Sequence, residues 1–156
     1  SAASDVYKRQ TPQKLQYPLA AVRAIATYRP GRFRVAVDGD AREYAAGLVV
    51  VAGSAYYGKG MKVAPGAVID DGLLDVVVVE AASRTALVRS FPKIYDGSHV
   101  DLPQVTVLRG ARVELNADGR SPLPVGGDGE PLGELPGLGR APAVVEVRPG
   151  ALRVIG

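Results

Sequence analysis

The chain has 156 residues, 47% of them hydrophobic, and a formal net charge of +3. That is enough for one sizeable core but not for two domains of ordinary size. The absence of cysteine excludes disulfides, thiolate metal sites and cysteine nucleophiles, and fits a reducing compartment, so the cytoplasm is the expected location. No apolar run approaches the roughly 20 residues of a spanning helix; the longest, 48–52 and 73–79, are strand-sized. Seven Tyr and two Phe without a Trp offer no stacking platform for bases, so no nucleic-acid partner is expected.

Residues 1–10 share no pattern with the rest of the chain and read as an adaptor or cloning scar, leaving 11–156 as the folded domain. Tyr17 to Tyr28 has Leu19, Val22, Ile25 and Ala26 at helical spacing, Pro18 in the first turn and Pro30-Gly31 as a stop, which predicts an amphipathic helix. Phe33, Val35 and Val37 then alternate with polar or small residues. Asp38-Gly39-Asp40 turns the chain into a long strand from about Arg42 to Ala52, a hairpin signature. Tyr56 to Met61 breaks the pattern. Val76 to Val79 is apolar on both faces and predicts a strand covered on both sides. Arg84 to Ile94 predicts a short helix with Ser83 as N-cap and Leu87, Val88 and Phe91 as a buried stripe. Strand-sized pieces follow at 105–108, 111–115, 123–125, 131–135, 143–147 and 152–155, with Pro122 and Pro124 marking an edge strand. Short strands between turn signals predict a mainly β fold, an antiparallel β-sandwich with two accessory helices.

Two acidic turns carry the chemical signal. Asp70-Asp71-Gly72 precedes the apolar strand, and Asp128-Gly129-Glu130 comes some sixty residues later. By residue type each is a good turn, since Asp tolerates left-handed geometry and Gly supplies positive φ. The functional reading is that carboxylates on rigid strand ends fix a hard cation and take a proton, the equipment of phosphoryl transfer. Gly126 to Gly129 lacks the leading strand and following helix of a phosphate-cradling loop. His99 is the only histidine, which excludes triads and multi-histidine metal sites and leaves a structural role for it. No serine stands in a nucleophile-elbow context.

The colinear set Val35 to Gly39, Tyr56-Tyr57-Gly58-Lys59-Gly60-Met61, Ala64-Pro65-Gly66-Ala67, Asp70-Asp71-Gly72-Leu73-Leu74-Asp75, Gly97 to Val100, Asp128-Gly129-Glu130 and Pro149 to Leu152 resembles the C-terminal half of the diacylglycerol kinase catalytic family, which includes bacterial soluble lipid kinases and sphingosine kinases. The resemblance implies a β-sandwich domain that follows an N-terminal α/β nucleotide-binding domain with a Gly-Gly-Asp-Gly-Thr loop, absent from this sequence. ATP and a lipid would meet between the two. It implies Glu130 as proton acceptor for the lipid hydroxyl and Asp70 in the catalytic Mg²⁺ network. It also implies Asp71, with the backbone carbonyls of Val68 and Leu73, as a structural Mg²⁺ site. The expected partners are a lipid substrate, the peripheral membrane surface and the nucleotide-binding domain, with a homodimer left open. The isolated chain is expected to be inactive. Two departures stand out: Gly53 where asparagine is common, and Lys59 inside what is usually a triple glycine. The competing reading is a non-catalytic β-sandwich module that holds a structural metal and binds a lipid or a partner. A third is the related NAD or polyphosphate kinase branch, which the segment order matches less well.

Overall fold

The computed structural model describes residues 29–58, 60–128 and 130–151. The helix expected at Tyr17 to Tyr28, the strand expected at 152–155 and Lys59 lie outside them.

Strand β1 (Gly31–Val37) and strand β2 (Asp40–Ala52) form an antiparallel hairpin closed by Val37 opposite Asp40. Asp38 at φ 48 and Gly39 at φ 89 occupy the turn. Both residues are left-handed, the twist that matches the flanking strands, and Asp-Gly is a pair that reaches it at low cost. The thirteen residues of β2 serve two neighbours. Its first half pairs with β1 up to Ala46, and its second half pairs with β3 (Leu74–Glu80) from Ala46 to Ala52, with a register shift between Ala46 and Leu48. Strand β4 (Val105–Gly110) pairs with β3, β5 (Arg112–Asp118) with β1, and β8 (Ala143–Glu146) with β5. The sheet order is β4-β3-β2-β1-β5-β8, every pair antiparallel. Strands β6 (Pro124–Gly127) and β7 (Glu130–Glu134) make a separate two-stranded ribbon, as the prolines at 122 and 124 require of a strand with few partners.

The strands of this sheet share one core. Phe33, Val35 and Val37 of β1, Ala46 of β2, Leu74, Val76 and Val78 of β3, and Val113, Leu115 and Ala117 of β5 fill it. Strands β1, β3 and β5 each contribute alternate residues, the period of a pleated strand. On β3 the opposite face is covered too: Val77 and Asp75 are buried along with Val76 and Val78. The expectation of a strand enclosed on both sides holds for this reason.

Between β3 and β4 the chain forms α1 (Arg84–Ser90) and α2 (Lys93–Asp96), then a 3₁₀ turn, Ser98–Asp101. Ser83 caps α1, its side chain accepting the Ala86 N–H at 3.2 Å. The single helix expected to Ile94 is broken, because Pro92 cannot continue it. The expected buried stripe is corrected as well: Leu87 and Phe91 are half-buried and Val88 is exposed. A seven-residue helix ending in solvent covers too little of the sheet to bury three side chains.

Asp96 accepts the Ser98 N–H at 2.8 Å and the Ser98 hydroxyl at 2.6 Å, and these bonds hold its carboxyl below the usual carboxylate range. The folded pKa lies below the unfolded one. The stabilisation is therefore present above the unfolded value of about 4 and is lost as pH falls through the lower folded value. Asp96→Ala is expected to melt lower than the parent at pH 7, with the difference vanishing in acid. A melting difference that stays constant from pH 7 to pH 2 would contradict this.

Candidate functional site

The loop joining β2 to β3 carries one acidic turn, and several bonds fix its path. The Lys62 N–H donates to the Ile94 carbonyl at 2.8 Å, the Ala64 N–H to Ala55 at 3.3 Å, and the Ala67 N–H to Ala64 at 2.9 Å. Gly97, at φ 85, lies against Pro65, where a β-carbon would stand 3.0 Å from the proline. His99 Nε2 is 3.0 Å from the Val63 carbonyl, so this nitrogen carries the proton and donates. The ring is buried and its Nδ1 has no partner. His99 is thus a structural pin, as its isolation in the sequence suggests.

Beyond this loop, Gly72 at φ 74 turns the chain into β3. Asp71 Oδ1 accepts the Leu73 N–H at 2.9 Å, which sets the turn. Arg109, near the end of β4, reaches the same carboxylate from the other side at 2.7 Å from Oδ2. Its Nε lies 3.0 Å from Asp75 Oδ1, and its Nη2 also donates to the Gly66 carbonyl at 3.0 Å. Register explains the meeting: Asp75 stands directly opposite Arg109 across the β3–β4 ladder. Cross-strand neighbours on one face sit within reach of each other's side chains. The Asp75 side chain is only 4% exposed, and its Oδ2 is buried without a hydrogen bond. Burial pushes the Asp75 carboxyl up, against the pull of Arg109 and with a small push from Asp71. A shallow pocket of roughly 230 Å³, lined by Ala64, Pro65, Gly66, Asp75, Val100 and Val107, adjoins it.

The residues singled out in the sequence are distributed unequally. Asp70 is exposed, and no hydrogen bond or ion pair among the described residues engages its carboxylate. Val68 and Leu73 flank the turn with exposed side chains. Glu130 opens β7 opposite Gly127, exposed, two positions after Asp128 at φ 50. No hydrogen bond or ion pair among the described residues joins Glu130 to Asp70, Asp71 or Asp75. The two acidic turns root at opposite ends of β1. Gly110, paired with Leu74, packs on Val37 and Asp38 at one end. Leu123, which leads into β6, packs on Gly31 at the other. Arg109 and Asp75 are the members of the site that the motif did not assign. Asp75 lies within the quoted segment, but Arg109 becomes visible only once the register of β3 and β4 is known.

Whether a metal suits this turn depends on free oxygen. Asp70 offers an unengaged carboxylate and fits a hard cation. Both oxygens of Asp71 already carry a donor, one of them a guanidinium. A divalent ion there would face that charge at a repulsion of roughly 4 kcal/mol per unit charge at 4 Å and an effective dielectric of 20. Among the described residues no group of three or more His, Cys, Asp or Glu is placed to hold a metal. As the turn is built, Asp71 fits Arg109 and not a Mg²⁺ ion.

A family model, the YegS C-terminal NAD kinase beta sandwich-like domain, matches residues 2–156. The chain belongs to this family. As a YegS C-terminal domain it is 32% identical over 144 residues to a diacylglycerol kinase of Mycobacterium tuberculosis (strain CDC 1551 / Oshkosh), covering 91% of this chain and 43% of the relative. The same figures hold for the diacylglycerol kinase of strain ATCC 25618 / H37Rv. The domain therefore spans less than half the length of the curated relatives it matches, and it corresponds to their C-terminal part. A crystal structure of a Bacillus anthracis str. Sterne protein, 22% identical, superposes with a TM-score of 0.62 over 86% of this chain and 44% of that one, which shows the shared fold. Among the described residues no helix is long and apolar enough to cross a membrane.

Proposed function

We propose that this domain is the C-terminal part of an ATP-dependent lipid kinase that moves the γ-phosphoryl group onto the hydroxyl of a diacylglycerol-like or sphingoid lipid, and that it is inactive without a nucleotide-binding lobe. The observation that carries this reading is the 32% identity to a protein named diacylglycerol kinase, running through both acidic turns across 91% of the chain. Glu130 is the base: it is exposed at a strand start, and no hydrogen bond or ion pair among the described residues engages its carboxylate, which leaves it open to accept the lipid hydroxyl proton. Asp70 is the residue available to Mg²⁺. Bound there with ATP, the ion supplies charge to offset the phosphates. In-line placement of the two substrates contributes most of the remaining rate. The domain presents these two carboxylates from two separate turns, and the nucleotide lobe holds the ATP.

A peripheral membrane position on the cytoplasmic side fits the same turn. Ile69 is 84% exposed and Val68 47% exposed immediately before Asp70, and the chain carries a mild positive charge. Apolar side chains raised beside a catalytic carboxylate suit a substrate that stays in the bilayer.

The test compares this chain with a longer one carrying a nucleotide-binding lobe ahead of it. Both are given labelled ATP, Mg²⁺ and vesicles containing diacylglycerol or sphingosine. Phosphate is expected in lipid with the longer chain and only at background with the domain alone. Turnover by the domain alone would overturn the dependence on a second lobe. Vesicle binding without phosphorylation by the longer chain would establish a non-catalytic lipid-binding module instead.

A further inference from the structure

We infer that Arg109 is the built-in cation of the acidic turn, standing where a structural metal ion would otherwise be needed. The inference rests on geometry and is independent of the lipid-kinase reading. One guanidinium gathers three acceptors from three places in the chain: Asp71 Oδ2 at 2.7 Å, Asp75 Oδ1 at 3.0 Å and the Gly66 carbonyl at 3.0 Å. Two carboxylates and a main-chain carbonyl, converging on one point from a loop and a strand end, are the donor set of a hard cation. Here the point is filled by a side chain that is covalently part of the protein. Its planar fork directs separate N–H groups at separate acceptors, which a lysine ammonium does not do in the same way.

Three further observations support the assignment. Asp71 Oδ1 is already taken by the Leu73 N–H, so the carboxylate is fixed in orientation as well as neutralised. The Asp75 side chain is 4% exposed, and a buried carboxylate without a counter-charge is unfavourable. Arg109 is delivered by strand register rather than by a flexible loop, because it stands directly opposite Asp75 in the β3–β4 ladder. The consequence is a turn whose shape does not depend on divalent ions.

The experiment is thermal unfolding of this chain in EDTA and in millimolar Mg²⁺, with isothermal titration of Mg²⁺, for the parent, Arg109→Gln, Arg109→Gln with Asp71→Asn, and Arg109→Lys. The parent is expected to melt within about 1 °C in the two buffers. Arg109→Gln is expected to melt about 5 °C or more lower in EDTA, given roughly 2–4 °C per kcal/mol for a chain of this size and the exposure of an unpaired buried carboxylate. It is expected to regain part of that loss in Mg²⁺, and to lose the regain when Asp71→Asn is added. Arg109→Lys, which keeps charge without the fork, is expected to fall between parent and Arg109→Gln. A Mg²⁺-dependent rise in the parent's melting temperature of more than a few degrees overturns the inference. So does an Arg109→Gln variant that melts with the parent, or one that is destabilised without any response to Mg²⁺. If Arg109→Gln does not fold, the parent's response to Mg²⁺ together with the Arg109→Lys melt decides the question.

Discussion

Glu130→Gln in the domain joined to its nucleotide-binding lobe is expected to lower kcat for lipid phosphorylation by about 10²–10⁴-fold, the usual contribution of a positioned general base. Gln keeps the shape and length of the side chain but has no site that accepts a proton near neutrality. Glu130 is exposed at the first position of β7 and no hydrogen bond or ion pair among the described residues engages its side chain, so the exchange strands no polar group among them. The melting temperature should stay within about 1 °C of the parent, as for most surface substitutions away from special features. The KM for lipid should change little, because the interaction removed exists only as the proton moves. Initial rates at varied lipid concentration, taken with a melting curve, separate the possibilities. A variant that retains parental kcat removes Glu130 from the reaction, and one that loses activity only by unfolding removes the chemical interpretation.

Gly110→Ala should produce the largest loss of stability. At Gly110 a β-carbon would stand 2.5 Å from Asp38 Oδ2 and press on Val37 Cγ1. Neither neighbour can yield cheaply. Val37 is part of the core. The Asp38 carboxylate accepts the Ala111 N–H at 3.1 Å and the Arg112 N–H at 2.9 Å, and Asp38 itself sits at φ 48 in the β1–β2 turn. Overpacking of this kind costs about 1–3 kcal/mol, and breaking the Asp38 bonds adds about 1 kcal/mol. At roughly 2–4 °C per kcal/mol the midpoint should fall by about 4–16 °C. Gly39→Ala is the informative comparison, since the space around Gly39 is open and only its φ of 89 opposes a side chain. It should lose about 1 kcal/mol. If Gly110→Ala melts no lower than Gly39→Ala, the contact between the end of β4 and the β1–β2 turn carries less of the fold than its geometry indicates.

Features with a local cause are the ones readable in the sequence. Asp38, Gly39 and Asp128 sit at turns with positive φ because left-handed backbone favours those residue types wherever they occur. The alternation of Phe33, Val35 and Val37, and the unbroken apolar run of β3, report burial on one face and on two. Ser83 is legible as a cap because its bond reaches only three residues ahead. The helix after it is overstated by the sequence, since its apolar spacing continues past Pro92 whereas its hydrogen bonding does not. The site itself is half legible. Asp70, Asp71 and Glu130 announce themselves as turn carboxylates, but Arg109 lies 38 positions from Asp71 and its role is created by strand register. A single isolated arginine in an alternating strand gives no local sign of what it will face. Gly53, where the resemblance led to an expectation of asparagine, falls just after β2, and nothing in its neighbourhood explains a glycine there.

Strand β2 has an implication for how the molecule comes apart. Its thirteen residues are stitched into β1 along one stretch and into β3 along the next, with Ala46 shared by both seams. Neither half of the molecule has a border at which it can be peeled away whole. Pulling or heating one half drags the common thread out of the other, so the domain is expected to come undone in a single step rather than leaf by leaf.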